Sequence, residues 1–503
     1  MKYSALLGAG LVASSMVMPK VVASEVERPN ILLIIADDWS DGHASYFGTK
    51  WLNTPNIDRV AREGVSFTNT FTSNPKSAPC RASLLTGRYS WQLEEGANHN
   101  GDFPGKFVVY PTLLEKSGYK IGLTQKGWGP GNWKTSGLSH NPAGPQFGKY
   151  KTTPPASGMS NNDYARNFQD FLDKTEDGKP WCFWMGITEP HRPYEADSGV
   201  KSGKKTSDVD LPEFYPDSDV IRKDILDYAL EVEWFDEHIG RSLKLLEESG
   251  QLDNTVVIVT SDHGMPFPRI KGQVYEEGYS IPLFIRWGNK IKPGRVVDDF
   301  INVSDFAPTF LQLANLPIHK QMTGQSFLKQ LLSSQSGQID TERNFTLVGK
   351  ERHDIGRPHD WGYPARAIRT EEFLYVKNYH PERWPVGNPE TGYPNCDGGP
   401  TKQLITKMDK NSKYYQWSFG KRPQEELYNV VTDRDCVINL ADDPNFEMAK
   451  KSLKQKLQNE LIKQEDPRSL GNGKIFDTYL YSPKLRGFYE KWQEKQRKKK
   501  AKK

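Results

Sequence analysis

The sequence predicts an α/β protein: a mixed, mostly parallel sheet sandwiched by helices, followed by a smaller α+β unit with an antiparallel sheet. Three observations carry this. The apolar runs are short and continuous rather than alternating, as in strands buried on both faces. Helical patterns separate them, the order that a parallel sheet requires. Past about residue 338 the texture changes to shorter, more polar strand-like pieces.

Residues 1–24, "MKYSALLGAGLVASSMVMPKVVAS", combine Lys2, an apolar stretch and a small-residue end. They read as an export signal, too short to span a bilayer, and without the cysteine of a lipid-anchored form. No later run is long and apolar enough for a transmembrane anchor, so a periplasmic or secreted protein is expected. The first strand, "ILLIIA" (31–36), ends in Asp37-Asp38. "SAPCRASLLTGR" (77–88) reads as a loop entering a helix, with Pro79 suited to its first turn. "IGLTQ" delivers Lys126, and "CFWMGI" (182–187) delivers Glu189-Pro-His191. Residues 224–249 carry Ile225, Ala229, Val232, Ile239, Leu243 and Leu246 on one helical face, with Gly250 as the stop. "VVIVT" (256–260) leads to Asp262-His263, and "IPLFIRW" (281–287) reads as one more parallel strand.

The Ser/Gln-rich stretch 331–343 reads as a linker. Beyond it, "NFTLVGK" and "EEFLYVKNY" are strand-like and 446–464 helical. The expected domains are 25–338 and 339–480, with a basic tail at 481–503. The tail reads as a solvated, disordered end, with contact to nucleic acid or an anionic polymer as the alternative. Hydrophobic residues at 36% and charged ones at 26% exclude a disordered or fibrous chain, and the net charge of +4 is too small to suggest a nucleic-acid-binding body. Four cysteines are too few for a disulfide framework. Cys182 reads as a buried thiol, and a Cys396–Cys436 bridge is the one pairing considered.

Four strand ends thus bring acids, imidazoles and an ammonium to one edge, where open α/β sheets bind ligands. Asp37, Asp38 and Asp262 would repel one another in an apolar crevice unless a divalent cation lies among them. Three carboxylates favour Ca²⁺ or Mg²⁺, while His263 leaves Zn²⁺ or Mn²⁺ open. A helix start at Ser77, with Arg81, Lys126, Lys271 and His191, suits a tetrahedral oxyanion, sulfate or phosphate.

The pattern S-x-P-x-R-x-x-x-L-T-G-R resembles the signature of the type I, formylglycine-dependent sulfatases, in its serine form. The resemblance extends through "NILLIIADDWS", "TEPHRPY", "SDHG", "KGQVYEEGYSIPLFIRW" and "ELYNVVTDRDCVINLADDP". "TSDHGMPFPR" and "GKERHD" are most similar to the heparan N-sulfatase branch and bacterial polysaccharide sulfatases. The resemblance implies an alkaline-phosphatase-like fold. It also implies that a sulfatase-maturating enzyme oxidises Ser77 to formylglycine (3-oxoalanine), whose hydrate attacks sulfur and releases sulfate as the aldehyde re-forms. Asp37, Asp38, Asp262, His263 and residue 77 match the metal ligands, with calcium expected. Arg81 matches the arginine holding the formylglycine region, Lys126 and Lys271 the sulfate-contacting lysines, and His191 the acid that protonates the leaving atom.

One position departs from the family: Trp128 stands where a histidine two residues after Lys126 is usual, and His140 is a weak substitute. Trp128 and Trp133 are alternatives for stacking on a sugar. Arg192, Arg352 and His353 are the expected substrate contacts, with Tyr194, Asp354, His359, Arg366 and Arg369 nearby in sequence. The resulting expectation is an exported sulfatase acting on a sulfated polysaccharide or its oligosaccharides, with algal glycans such as ulvan favoured over glycosaminoglycans such as heparan sulfate. The alternatives are a metal-dependent phosphatase or phosphodiesterase using unmodified Ser77, and a catalytically dead glycan-binding homologue.

Overall fold

A computed structural model describes Met1 and residues 28–502. The expected export signal at 1–24 lies, Met1 apart, outside the described residues.

The larger sheet has seven strands: β1 (Asn30–Ala36), β2 (Val65–Phe67), β3 (Lys120–Gln125), β4 (Trp181–Gly186), β5 (Thr255–Ser261), β6 (Leu283–Arg286) and β7 (Arg295–Val297), in the order β3-β4-β1-β5-β6-β2-β7. The four strands β3, β4, β1 and β5 run parallel in register, with Ile35 opposite both Gly186 and Thr260, so their carboxyl ends emerge along one edge. All seven residues of β1 are buried, as its unbroken apolar run requires. β6 corrects the sequence reading: it is antiparallel to β5 and β2. A continuous apolar run reports burial on both faces and carries no direction.

Successive residues of β1 face opposite layers. Leu32 and Ile34 join Phe183, Val257 and Val259 against helices α1 (Pro55–Glu63), α3 (Tyr164–Leu172) and α4 (Asp219–Glu248). Ile31, Leu33 and Ile35 face α2 (Ser77–Thr86) and α5 (Phe306–Leu313) through Leu84, Leu85, Phe306 and Phe310. α4 begins before the predicted start, at Asp219, where the Ser218 hydroxyl caps the Val220 N–H at 3.3 Å.

The second sheet is antiparallel, β8 (Phe345–Lys350), β9 (Ala365–Thr370), β10 (Phe373–Asn378) and β11 (Glu425–Asn429) in sequential order. One face packs through Val348, Ala367 and Val376 on Phe71, Tyr275 and Tyr279; the other buries Leu347, Ile368 and Tyr375 against Leu453, Leu457 and Leu461 of α6 (Glu447–Lys463). The basic tail is not irregular: Phe488–Ala501 form a helix, α7. All four cysteines are buried free thiols, so Cys396 and Cys436 are not bridged. Among the described residues no helix is long and apolar enough to cross a membrane.

Candidate active site

The edge formed by β1, β3, β4 and β5 meets the first turn of α2. Ser77 opens that helix, and its hydroxyl donates to Asp37 Oδ1 at 3.0 Å while lying 3.1 Å from His263 Nε2. Asp38 takes a left-handed backbone (φ 74°) immediately beyond β1, a conformation that is costly away from glycine and concentrated at functional sites. Its N–H donates to Asp262 Oδ1 at 3.1 Å, coupling the ends of β1 and β5.

Arg81, one turn into α2 and fully buried, holds this arrangement from beneath. Nε donates to Asp262 Oδ2 (3.1 Å), Nη2 to Asp37 Oδ1 (3.3 Å) and Nη1 to the Lys126 carbonyl (2.8 Å). A Cβ at Gly129 would stand 2.4 Å from Arg81 Cδ, so the loop after β3 closes on the guanidinium only with glycine there. Burial would raise the Asp37 carboxyl, but Lys126, His191 and Arg81 together hold it well below the usual carboxylate range. Lys126 Nζ pairs with Asp37 Oδ2. Lys271 Nζ bridges Asp38 Oδ2 and Asp397 Oδ2, 2.7 Å from each. Burial opposes the Lys271 charge, yet Asp38 and Asp397 outweigh it and raise the group above the ordinary lysine range.

Asp37, Asp38, Asp262 and His263 offer ligand atoms that all lie within 4.8 Å of one another. The donor chemistry fits a cation. His263 Nδ1 donates to the Gly264 carbonyl at 2.9 Å, which turns the lone pair of Nε2 toward Asp38 Oδ1, 3.2 Å away. Asp38 Oδ1 is buried and has no hydrogen-bond partner. Two acceptors facing each other in a dry site are stabilised by a shared positive ion, and the oxygen-rich set suits a hard one. His191 lies on the open side, about one-third exposed, its Nδ1 on the Arg192 carbonyl (2.6 Å) and its Nε2 3.9 Å from Asp38 Oδ2.

The expected substrate contacts fare differently. Arg192 is a brace, not a free donor: its fork clamps Asp224 at 2.8 and 2.7 Å, Nε donates to the Pro266 carbonyl, and Tyr194 and Phe267 cover its plane. Arg352 is buried over the Tyr481 ring and donates to the Tyr479 carbonyl, facing the C-terminal segment. His353 is fully buried behind Asn74, whose Oδ1 is 2.5 Å from its Nε2; burial, then Lys350 and Lys76, push it well below the usual histidine range. Trp128 packs edge-on against Phe103 (centroids 5.2 Å apart) and donates Nε1 to the Gly131 carbonyl. Those contacts tie the half-buried ring to its own loop. His140 is exposed beside Glu115, and Arg366 and Arg369 pair with Asp466 and Glu276 inside the structure.

Sequence reasoning missed Asp397, which joins Asp38 and His191 as a second group of converging ligand atoms. It also missed Lys76 and His99, and had Asp354 only as a neighbour of the expected substrate contacts. Lys76 Nζ pairs with Asp354 at 2.6 Å, and Asp354 accepts from His99 at 2.9 Å, directly before Ser77. No local signal marks these residues, because each partner lies more than 120 positions away apart from the neighbouring loop residues.

Comparison with known proteins gives consistent results. The model of the family described as Sulfatase matches residues 29–316, and that described as N-sulphoglucosamine sulphohydrolase, C-terminal, matches 268–386. The chain is 26% identical to an ulvan-active sulfatase of Formosa agariphila (90% of this chain, 78% of that protein) and 26% identical to human N-sulphoglucosamine sulphohydrolase (88% and 91%). Among solved structures it is similar to a protein in complex with its substrate D-glucosamine-2-N,6-O-disulfate (TM-score 0.65, 19% identity, 88% of this chain and 99% of that one). It is also similar to the phosphonate monoester hydrolase of Agrobacterium radiobacter (TM-score 0.64, 18%, 87% and 96%). At these identities the structures establish shared fold alone.

Proposed function

The chain belongs to the sulfatase family and is a sulfuric ester hydrolase, and from that premise we propose that it is an exported enzyme that removes sulfate from a sulfated polysaccharide or its oligosaccharides, with residue 77 matured to formylglycine. The carrying observation is the convergence of Ser77, His263 and three aspartates at one sheet edge, with Lys126, Lys271 and His191 around them. The ulvan-active and glycosaminoglycan-type relatives support the substrate class, an algal glycan being the first choice. Residues 25–338 form the catalytic domain in this reading and 339–480 the C-terminal subdomain.

Asp37, Asp38, Asp262 and His263 would hold a divalent ion, calcium first, which when bound supplies positive charge to the sulfate oxygens. The matured aldehyde would supply, as its hydrate, a nucleophilic oxygen that can shed sulfate by re-forming the carbonyl. The remaining tasks fall to side chains. Lys126 and Lys271 donate to the equatorial sulfate oxygens, where charge develops. His191, its Nδ1–H fixed on a backbone carbonyl, gives the Nε2 proton to the departing oxygen or nitrogen as its bond to sulfur breaks. Arg81 keeps the carboxylates and the Lys126 loop in place.

The test is a mass spectrum of the peptide spanning residues 77–81 together with assay of inorganic sulfate. Protein co-expressed with a maturating enzyme should lose two hydrogens at residue 77 and release sulfate, and Ser77→Ala should release none. An unmodified serine in active protein would refute the formylglycine assignment and favour the phosphatase reading.

A further inference from the structure

The positive charge of this protein is not spread over its body. Residues 488–503 hold eight Lys and Arg against two Glu, which leaves the rest of the chain with 59 basic and 61 acidic groups. The body is therefore close to neutral, and nearly all the excess sits in α7. Along that helix and the residue that caps its end, Lys491, Lys495, Lys498 and Lys502 recur at i, i+4, i+7 and i+11. They form one axial stripe about 16 Å long with cations about 5 Å apart. Lys495, Arg497, Lys499 and Lys500 are exposed, and Lys498 forms a surface pair with Glu494 at 2.6 Å.

Among the described residues, the contacts that fasten the helix to the body lie near its start. The Gly487 N–H donates to Asp360 Oδ2 (2.8 Å), the His359 N–H to Glu490 Oε1 (2.8 Å) and the Tyr489 hydroxyl to Glu390 Oε1 (2.6 Å). Those fastening points belong to the two loops that reach the candidate active site: Asp360 follows Asp354 by six residues, and Glu390 precedes Asp397 by seven. The basic stripe is thus fastened to segments that continue, within a few residues, into the loops carrying Asp354 and Asp397.

We infer that α7 is a docking arm for a polysulfated carbohydrate chain, holding the polymer beside the site while successive sulfate groups are presented. This rests on the sulfatase reading for the identity of the polymer. Linear spacing of cations suits a linear polyanion, and the charge contrast between arm and body gives the polymer one place to bind. A membrane surface fits poorly: the apolar residues Phe488, Tyr489 and Trp492 lie in the anchored first turns, and no apolar face continues beyond them.

The test compares the full chain with a variant carrying K495Q, R497Q, K498Q, K499Q, K500Q and K502Q, residues that touch no part of the site. Binding is measured to heparin, to uncharged dextran and to double-stranded DNA at matched charge concentration, across salt. Removing six cations should weaken heparin binding at low salt by at least about 10-fold and flatten the slope of log K against log salt by about 2–4. kcat/KM on a sulfated polymer should fall in the same proportion, while turnover of a sulfated monosaccharide stays unchanged, since a contact at the arm does not reach it through a Debye length of about 8 Å. Unchanged heparin affinity, tighter binding to DNA than to heparin, or equal loss on polymer and monosaccharide would each overturn the inference. The binding arms are repeated in the Ser77→Ala background, so they report on the docking arm even if no sulfate is ever released.

Discussion

Replacing Arg81 is the sharpest probe of how the site is held. Arg81→Ala removes three hydrogen bonds from a fully buried guanidinium and leaves Asp37 and Asp262 each short of a cationic partner. Breaking a buried pair from one side costs about 3–5 kcal/mol, because the partner charge stays uncompensated. Unfolding entropy of about 2.1 cal/mol/K per residue gives about 1 kcal/mol/K for a chain of this size, so the melting temperature should fall by about 3–5 °C. Arg81→Lys keeps a charge but cannot reach three acceptors in three directions, so it should recover part of the stability and little of the activity. Because the Lys126 carbonyl loses its donor, kcat/KM for sulfate release should drop about 10²–10³-fold in both variants, the scale of losing a positioned oxyanion partner. Calorimetry and sulfate assay on matured protein read both effects. An Arg81→Ala protein melting within 1 °C of the parent with near-parent activity would refute the reasoning.

Asp397→Asn should leave Lys271 tethered by Asp38 alone and reduce kcat/KM by about 10-fold, chiefly through KM, with little change in melting temperature; an unchanged KM would remove Asp397 from the site. Chelation should abolish sulfate release and lower the melting temperature. Calcium at about 100 times its Kd should restore about 2.7 kcal/mol, some 3 °C on the scale above, whereas indifference to chelator would count against the cation site. Glu231, buried without a partner for either oxygen, is raised by burial and then by Glu189 to about 9. The folded protein therefore keeps a proton that the unfolded chain releases above about 4.5, so stability declines as pH rises from there to about 9, by at most about 1.4 kcal/mol per unit. Glu231→Gln should remove that decline, and its melting advantage over the parent should widen between pH 6 and 8.5; a constant offset would contradict the assignment.

The gathering of these side chains at one edge is legible in the sequence because parallel strands share a carboxyl edge. An acid, imidazole or ammonium directly after an apolar run had to land beside its counterparts, as Asp37, His263 and Lys126 do. What escaped was whatever depended on pairing between distant loops. Lys271 finds Asp397 across 126 positions, and Arg192 and Arg352, assigned to substrate for their charge, are consumed by Asp224 and the Tyr479–Tyr481 segment. Charge says that an arginine needs a partner; it does not say whether the protein supplies one. β6 escaped for a simpler reason, since apolarity has no polarity of direction. The helical tail escaped because its lysines dominate the composition, while the Glu494–Lys498 pair and the anchoring of Tyr489 and Glu490 support a helix locally.

The Lys271 ammonium is shared between a carboxylate rooted in the central strand and one carried on the loop around residues 393–399. The placement of that ammonium is therefore set jointly by the strand edge and by a loop of the C-terminal part of the chain. Discarding everything past the linker would leave a lysine with half its grip.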